Sequence, residues 1–251
     1  MPKEALLMIF KKIYTLQPRI LQDVNSNLDF LIQQIESAEE DSILLAPEVM
    51  LSGFSYQKME EASEFSRIAT QRILEATTNK TCIITMIEKN GNAFFNNLKV
   101  FHRNCVIHKQ AKTKLFALGD EHLHFTQGSV EECVPFVIDG VKCGALICFE
   151  LRFPKMWERM REAEIIFVPA QWGEPRKEHF ETLTRALAIL NQSYVVASNP
   201  MNLQMARGSA IISPYGLVHK NDKKELIELE INLDEVHRVR KYIQIREHDV
   251  D

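Results

Sequence analysis

The sequence predicts an α/β fold in which mixed β-sheets are layered with helices in one domain. Three observations carry this. Short β-rich apolar runs alternate with segments of helical period in both halves of the chain. Two hairpin signals, Asn90-Gly91 and Asp139-Gly140, lie in the middle, where a purely parallel sheet has no place for them. Neither a Ser/Gly/Pro-rich linker nor an internal repeat divides the chain, so 1–251 reads as a single domain.

Taken in order, Ala5 to Tyr14 is apolar and β-rich and predicts a first strand. Asn25 to Ala38 places Leu28, Leu31, Ile32 and Ile35 at helical spacing, with Asn25 as the cap. Ser42 to Ala46 is a short buried strand that stops at Pro47-Glu48. Ser63 to Ala76 predicts a helix with Phe65, Ile68, Ala69, Ile73 and Leu74 on one side. Strands follow at Thr81 to Glu88, Phe94 to His102 and Val106 to Gln110, and Ala111 to Gly128 is irregular. Glu132 to Ile138 and Lys142 to Ile147 flank the second hairpin signal. Pro154 to Arg161 is a helix opened by its proline, and Glu164 to Pro169 a strand. Pro175 to Asn191 is a long helix with Phe180, Leu183, Ala186, Leu187 and Leu190 facing inward. Strands at Ser193 to Ser198, Ser209 to Ser213 and Leu226 to Ile231 precede a last helix, Leu233 to Tyr242.

Composition narrows the function classes. The 251 residues are 45% hydrophobic, enough for a sizeable core, and the net charge of -4 leaves no footprint for nucleic acid or an anionic membrane. The start, MPKEALLMIF, has Glu4 where a signal peptide carries basic charge, and no apolar run reaches the length of a membrane span. The five cysteines are odd in number and form no C-x-x-C pair, which points to neither a disulfide framework nor a zinc site, so a reducing cytoplasm is the expected compartment.

Three strand ends carry reactive side chains. Glu48 follows SILLAP, Lys112 follows VIHKQA, and Cys148 follows GALI, where a buried strand gives way to a turn before a helix. Singly, each has an ordinary explanation: a loop acid, a solvated lysine cluster with Lys109 and Lys114, a core cysteine. Together they supply the proton carrier, oxyanion stabiliser and nucleophile of covalent acyl transfer. His122 and His124 invite a metal reading, but zinc needs three or four converging ligands and no third cluster is visible, so neither a metal nor a cofactor is expected.

These segments resemble the nitrilase, or carbon–nitrogen hydrolase, superfamily over nearly the whole chain. Ala46-Pro47-Glu48 with Ser52-Gly53-Phe54 resembles the glutamate motif, and Lys112-Thr113-Lys114-Leu115-Phe116 the lysine motif K-x-H-L-F. Cys148-Phe149-Glu150-Leu151-Arg152-Phe153-Pro154 resembles the cysteine motif C-Y-D-L-R-F-P. Val168-Pro169-Ala170-Gln171-Trp172, Arg185-Ala186 with Asn191-Gln192, and Ser209 to Gly216 resemble three later blocks. Lys114, Phe149 and Glu150 replace the usual histidine, tyrosine and aspartate. Lys112 holds the position of the motif's lysine, and Lys114 is its competitor.

The resemblance implies a four-layer α-β-β-α sandwich and a Glu48-Lys112-Cys148 triad, with Glu121 as a second glutamate that holds the lysine. Lys112 and the Phe149 backbone N–H would face the oxyanion. Arg152 would bind a substrate carboxylate or hold the turn by a salt bridge, and Trp172 would line the pocket or sit in the core. The implied reaction is metal-free hydrolysis of a small linear amide, the ω-amide of a keto or dicarboxylic acid, through a cysteine thioester. N-carbamoyl amine hydrolysis is the alternative, and a non-catalytic binding member a further one. The resemblance also implies a homodimer or higher homo-oligomer through helices near the cysteine motif, where Met156 and Trp157 suit either a partner contact or the protomer's own core.

Overall fold

In the computed structural model, which describes residues 10–245, strand alternation sets the layering. The elements are β1 (Phe10–Leu16), α1 (Val24–Ser37), β2 (Ile43–Leu45), α2 (Met59–Ala76), β3 (Thr81–Asn90), β4 (Ala93–His102), β5 (Cys105–Ala111), α3 (Glu121–His124), β6 (Phe136–Ile138), β7 (Val141–Ala145), α4 (Pro154–Arg159), β8 (Ile165–Pro169), α5 (Lys177–Asn191), β9 (Tyr194–Ser198), β10 (Ala210–Ile212), β11 (Val218–Lys220), β12 (Leu226–Asn232) and α6 (Asp234–Tyr242). Side chains two apart on a strand share a face. Ile13, Ile43, Leu45 and Ile83 therefore enter a core shared with the second sheet. Their neighbours Tyr14, Leu44, Cys82 and Ile84 pack under Leu28, Leu31, Ile35 and Ile73 of α1 and α2. On the far side the second sheet packs against α4 and α5 through Met156, Trp157, Phe180 and Leu187. The result is a four-layer α-β-β-α sandwich. Truncating a buried residue such as Leu31 to alanine would cost about 2–5 kcal/mol.

Among the described residues each sheet has six strands, in the orders β12-β1-β2-β3-β4-β5 and β11-β10-β9-β8-β7-β6. The trios β1-β2-β3 and β7-β8-β9 are parallel, and the outer pairings are antiparallel. β5 pairs with β4, which pairs with β3, so β5 runs in the same direction as β2 and β3. The chain following β2 and the chain following β5 consequently leave the first sheet at one end.

Several sequence expectations shift. The first strand runs to Leu16, and the part of that expectation covering 5–9 lies outside the described residues. α1 is capped by Asp23, whose carboxylate accepts from the N–H groups of Asn25 and Ser26, not by Asn25. Ile68 is 48% and Leu190 57% exposed, so neither faces inward. In α5 the buried positions are Phe180, Thr184, Leu187, Ala188 and Asn191, a stripe that includes polar side chains and leaves Leu190 outside it. β7 ends at Ala145, and Leu146 and Ile147 continue as buried chain. The irregular stretch contains the one-turn helix α3, and the edge strand β11 was not expected. Met156 and Trp157 belong to the protomer's own core. Among the described residues no helix is long and apolar enough to cross a membrane.

Candidate active site

Glu48, Lys112 and Cys148, each just past a strand, come together with Glu121 at the start of α3. Lys112 follows β5, and its backbone N–H donates to Asn96 O on β4 at 2.8 Å. Gly128 backs this segment: its N–H donates to Lys112 O at 2.9 Å, and a Cβ there would lie 2.4 Å from Ala111 O. Any side chain at 128 would displace the backbone that carries the lysine. The Lys112 ammonium, fully buried, donates to Glu48 Oε1 and to Glu121 Oε1, each at 2.7 Å. Asn96 Nδ2 also donates to Glu48 Oε1 at 2.8 Å, and the Phe116 N–H to Glu121 Oε2 at 3.0 Å. Glu48 is tied to the second sheet as well. Its N–H donates to Ala170 O at 3.3 Å, and Gln171 Nε2 donates to its carbonyl at 2.7 Å.

Charge explains how these groups coexist. Burial alone would push the Lys112 ammonium toward neutrality, but Glu48, Cys148 and Glu121 around it reverse that and raise its pKa. Burial raises the Glu121 carboxyl, with Lys112 opposing. Burial also pushes the Cys148 thiol well above its ordinary value, reinforced by the Glu48 carboxylate and only partly opposed by Lys112. This environment favours the neutral thiol at Cys148. Glu48 Oε2 is buried with no hydrogen-bond partner among the described residues, an open acceptor on the carboxylate whose charge acts on that thiol.

Left-handed backbone occurs beside Glu48 and at Cys148. Cys148 has φ +48° and Val49, the β-branched residue after Glu48, φ +41°. Such conformations cost on the order of 1–3 kcal/mol each and persist where the surroundings enforce them. Here both lie at the reactive side chains. The enforcing contacts are the Val49 N–H to Thr85 Oγ1 bond at 2.6 Å and a carboxylate that sequence reasoning left without a role. That carboxylate is Glu150, fully buried. Its Oε1 accepts from the Thr113 N–H at 2.6 Å and the Thr113 hydroxyl at 2.7 Å, and its Oε2 from the Ile147 N–H at 2.7 Å. It clasps the residue after the lysine to the residue before the cysteine.

Beside Cys148 lies a narrow cavity of about 20 Å³ lined by Phe116, Phe149, Arg152, Gln171, Trp172 and Arg176. The Phe149 ring sits between Phe116 and Phe153, with centroids 5.0 and 5.2 Å away. Trp172 lines the cavity and is also buried, which joins the two readings of it; its Nε1 has no partner among the described residues. The Arg152 guanidinium stacks over the Trp172 ring at 4.5 Å and contacts His179 Nδ1 at 3.0 Å. No carboxylate pairs with it among the described residues, so the salt-bridge reading of Arg152 falls away. Lys114 lies over Phe153 at 5.5 Å, outside the carboxylate cluster that holds Lys112. His124 stacks on Tyr56 at 4.1 Å, and no group of three or more metal-ligating side chains occurs among the described residues. Asn96, Thr113, Glu150, Gln171 and Arg176 are the functional-site residues that sequence reasoning missed.

A buried thiol, a buried carboxylate and a buried ammonium thus gather at the strand ends of an α-β-β-α sandwich. Comparisons with known proteins give the family. The carbon-nitrogen hydrolase family model matches residues 15–241. The 2-oxoglutaramate amidase of Bacillus subtilis is 32% identical over 86% of this chain and 87% of its own length. The omega-amidase YafV of Escherichia coli is 26% identical, with 80% of each chain covered. A carbon–nitrogen hydrolase superfamily protein from Xanthomonas campestris, 20% identical, superposes with a TM-score of 0.85 over 97% of this chain and 98% of its own, which speaks to the fold. The chain belongs to the carbon-nitrogen hydrolase family.

Proposed function

We propose that the protein hydrolyses the terminal amide of a small keto or dicarboxylic acid monoamide, with Glu48, Lys112 and Cys148 as its catalytic residues. The observation that carries the substrate class is Arg152, a cation on the wall of the Cys148 cavity that no carboxylate of the described residues neutralises. The names of the 2-oxoglutaramate amidase and omega-amidase relatives support the same class.

In this reading Glu48 takes the thiol proton as Cys148 sulfur bonds to the amide carbon. The carbonyl electrons move to oxygen, which the Lys112 ammonium and the Phe149 N–H stabilise. The C–N bond then breaks, the protonated Glu48 gives its proton to nitrogen, and ammonia leaves a thioester on Cys148. Glu48 next takes a proton from water, whose oxygen attacks the thioester. The C–S bond breaks, the acid departs, and Glu48 returns its proton to the Cys148 sulfur, restoring thiol and carboxylate. One carboxyl serves as base and acid in turn, and Glu121 keeps the lysine charged and in place. The free Oε2 of Glu48 supports the first step.

The test is ammonia release from 2-oxoglutaramate and related ω-monoamides, set against N-carbamoyl amines and nitriles. The ω-monoamides should be turned over with the highest kcat/KM. Preference for an N-carbamoyl amine would replace this reading with the alternative, and turnover of none of them by pure protein would favour a non-catalytic role.

A further inference from the structure

The Cys148 cavity has a second guanidinium that its proposed chemistry does not use. Arg176 ends the turn Glu174–Arg176 just before α5 and lies over the Phe116 ring at 5.3 Å. Its turn is pinned from outside: the Glu174 N–H donates to Gln204 O at 2.8 Å, and Gly173 pairs with Met205 in a β-bridge. Gly173 also makes room for it, since a Cβ there would lie 3.2 Å from Arg176 Nη2. Like Arg152, Arg176 has no carboxylate partner among the described residues. The two cations thus line one small cavity, each resting on an aromatic face in place of an acid, and each raises the cost of the other. Burial and then Arg176 both push the Arg152 guanidinium down from its ordinary value. A pair of like charges in a partly buried cavity is unfavourable until an anion joins them, and two planar forks suit a carboxylate.

We infer that Arg152 and Arg176 form a two-arginine clamp for the substrate carboxylate, and that Arg176 sets the preference for anionic over neutral amides. This rests on the reading that the substrate carries a carboxylate remote from its amide. Phe116 then has two tasks. Its ring carries Arg176, and its N–H donates to Glu121, so the wall that fixes the second arginine is built on the carboxylate that holds Lys112.

The experiment compares ammonia release from glutaric acid monoamide with release from pentanamide, a neutral amide of the same chain length, in wild type, Arg176→Ala, Arg176→Gln and Arg176→Lys. The readout is the ratio of the two kcat/KM values. Wild type should favour the acid monoamide strongly. Arg176→Ala should reduce the ratio about 10- to 100-fold, as expected for losing charge-assisted hydrogen bonds, mainly through KM for the acid. Arg176→Lys should recover part of it, since the charge returns without the planar fork. Arg176→Gln gives the same comparison if the alanine variant does not fold. A fall in both activities together, with the ratio unchanged, would mean that Arg176 only shapes the turn. A wild-type ratio near one would instead overturn the carboxylate reading itself, whatever the variants do.

Discussion

Glu121→Gln isolates the charge on the lysine's second partner while keeping its shape. In the wild type the two oxygens of Glu121 divide their work, Oε1 accepting from Lys112 Nζ at 2.7 Å and Oε2 from the Phe116 N–H at 3.0 Å. A glutamine has one acceptor oxygen, so its NH2 must meet one of these two donors. Removing one partner of a buried ion pair costs about 3–5 kcal/mol. The lower end applies here, because Glu48 stays 2.7 Å from the ammonium. The fold should survive with a lowered melting temperature. Acylation should slow by ~100- to 1,000-fold, the loss typical of a displaced oxyanion donor. The pH dependence gives an independent sign. Lys112 has a pKa raised above 10.5, so its contribution is fully present below that value and is lost as pH rises through the folded value. Removing the Glu121 charge lowers the folded value, so stability and kcat/KM should begin their alkaline fall at lower pH than in wild type. Single-turnover acylation by rapid quench reads the first effect, and melts extended above pH 10.5 read the second. An acylation rate within about 3-fold of wild type, or an unmoved alkaline limb, would refute the role given to Glu121.

Other expectations follow from the same contacts. Lys112→Ala should remove nearly all turnover while Lys114→Ala leaves most of it, since only Lys112 lies between Glu48 and Glu121; steady-state ammonia release distinguishes them, and the reverse order would reassign the lysine. The losses from Lys112→Ala and Glu121→Gln should be far from additive in a double-mutant cycle, because the two groups act as a unit. Glu150→Gln should destabilise the protein by about 1–3 kcal/mol, because its NH2 must face either Thr113 or the Ile147 N–H, and chemical denaturation measures this. A variant as stable as wild type would show that the clasp between the lysine and cysteine segments is unimportant. The chain is expected to be a homodimer or higher homo-oligomer, and because Met156 and Trp157 pack in the protomer core, other residues would supply the contact. Light scattering at micromolar concentration checks this, and a monomer there would count against it.

The sequence made the layering legible because apolar period changes sharply between strands and helices, and it placed Glu48, Lys112 and Cys148 at strand ends. It could not show that β5 runs in the direction of β2, which brings Lys112 to Glu48; that follows from pairing through β4. Asn96 looked like an ordinary strand residue, and only the pairing puts its amide on Glu48. Glu150 read as a variant of a motif aspartate, because its three donors come from Thr113 and Ile147, on either side of the sequence gap it closes. Arg176 precedes a helix, where charged residues are commonplace, and nothing local distinguishes a solvated cation from one over a cavity. β11 escaped notice because all three of its residues are exposed, so an edge strand carried no buried alternation. Ile68 and Leu190 show the opposite error: helical spacing marks a wide apolar stripe, but the sheet covers only part of it.

The central claim is that Cys148 carries the acyl group. Mass spectrometry of protein quenched during turnover of an ω-monoamide tests it most directly. A Cys105→Ser background is preferable, because Cys105 is the one exposed thiol of the five. The peptide containing Cys148 should gain the mass of the substrate less ammonia, and Cys148→Ala should fold, release no ammonia and show no adduct. An acyl group on another cysteine, or continued ammonia release by Cys148→Ala, would contradict the account.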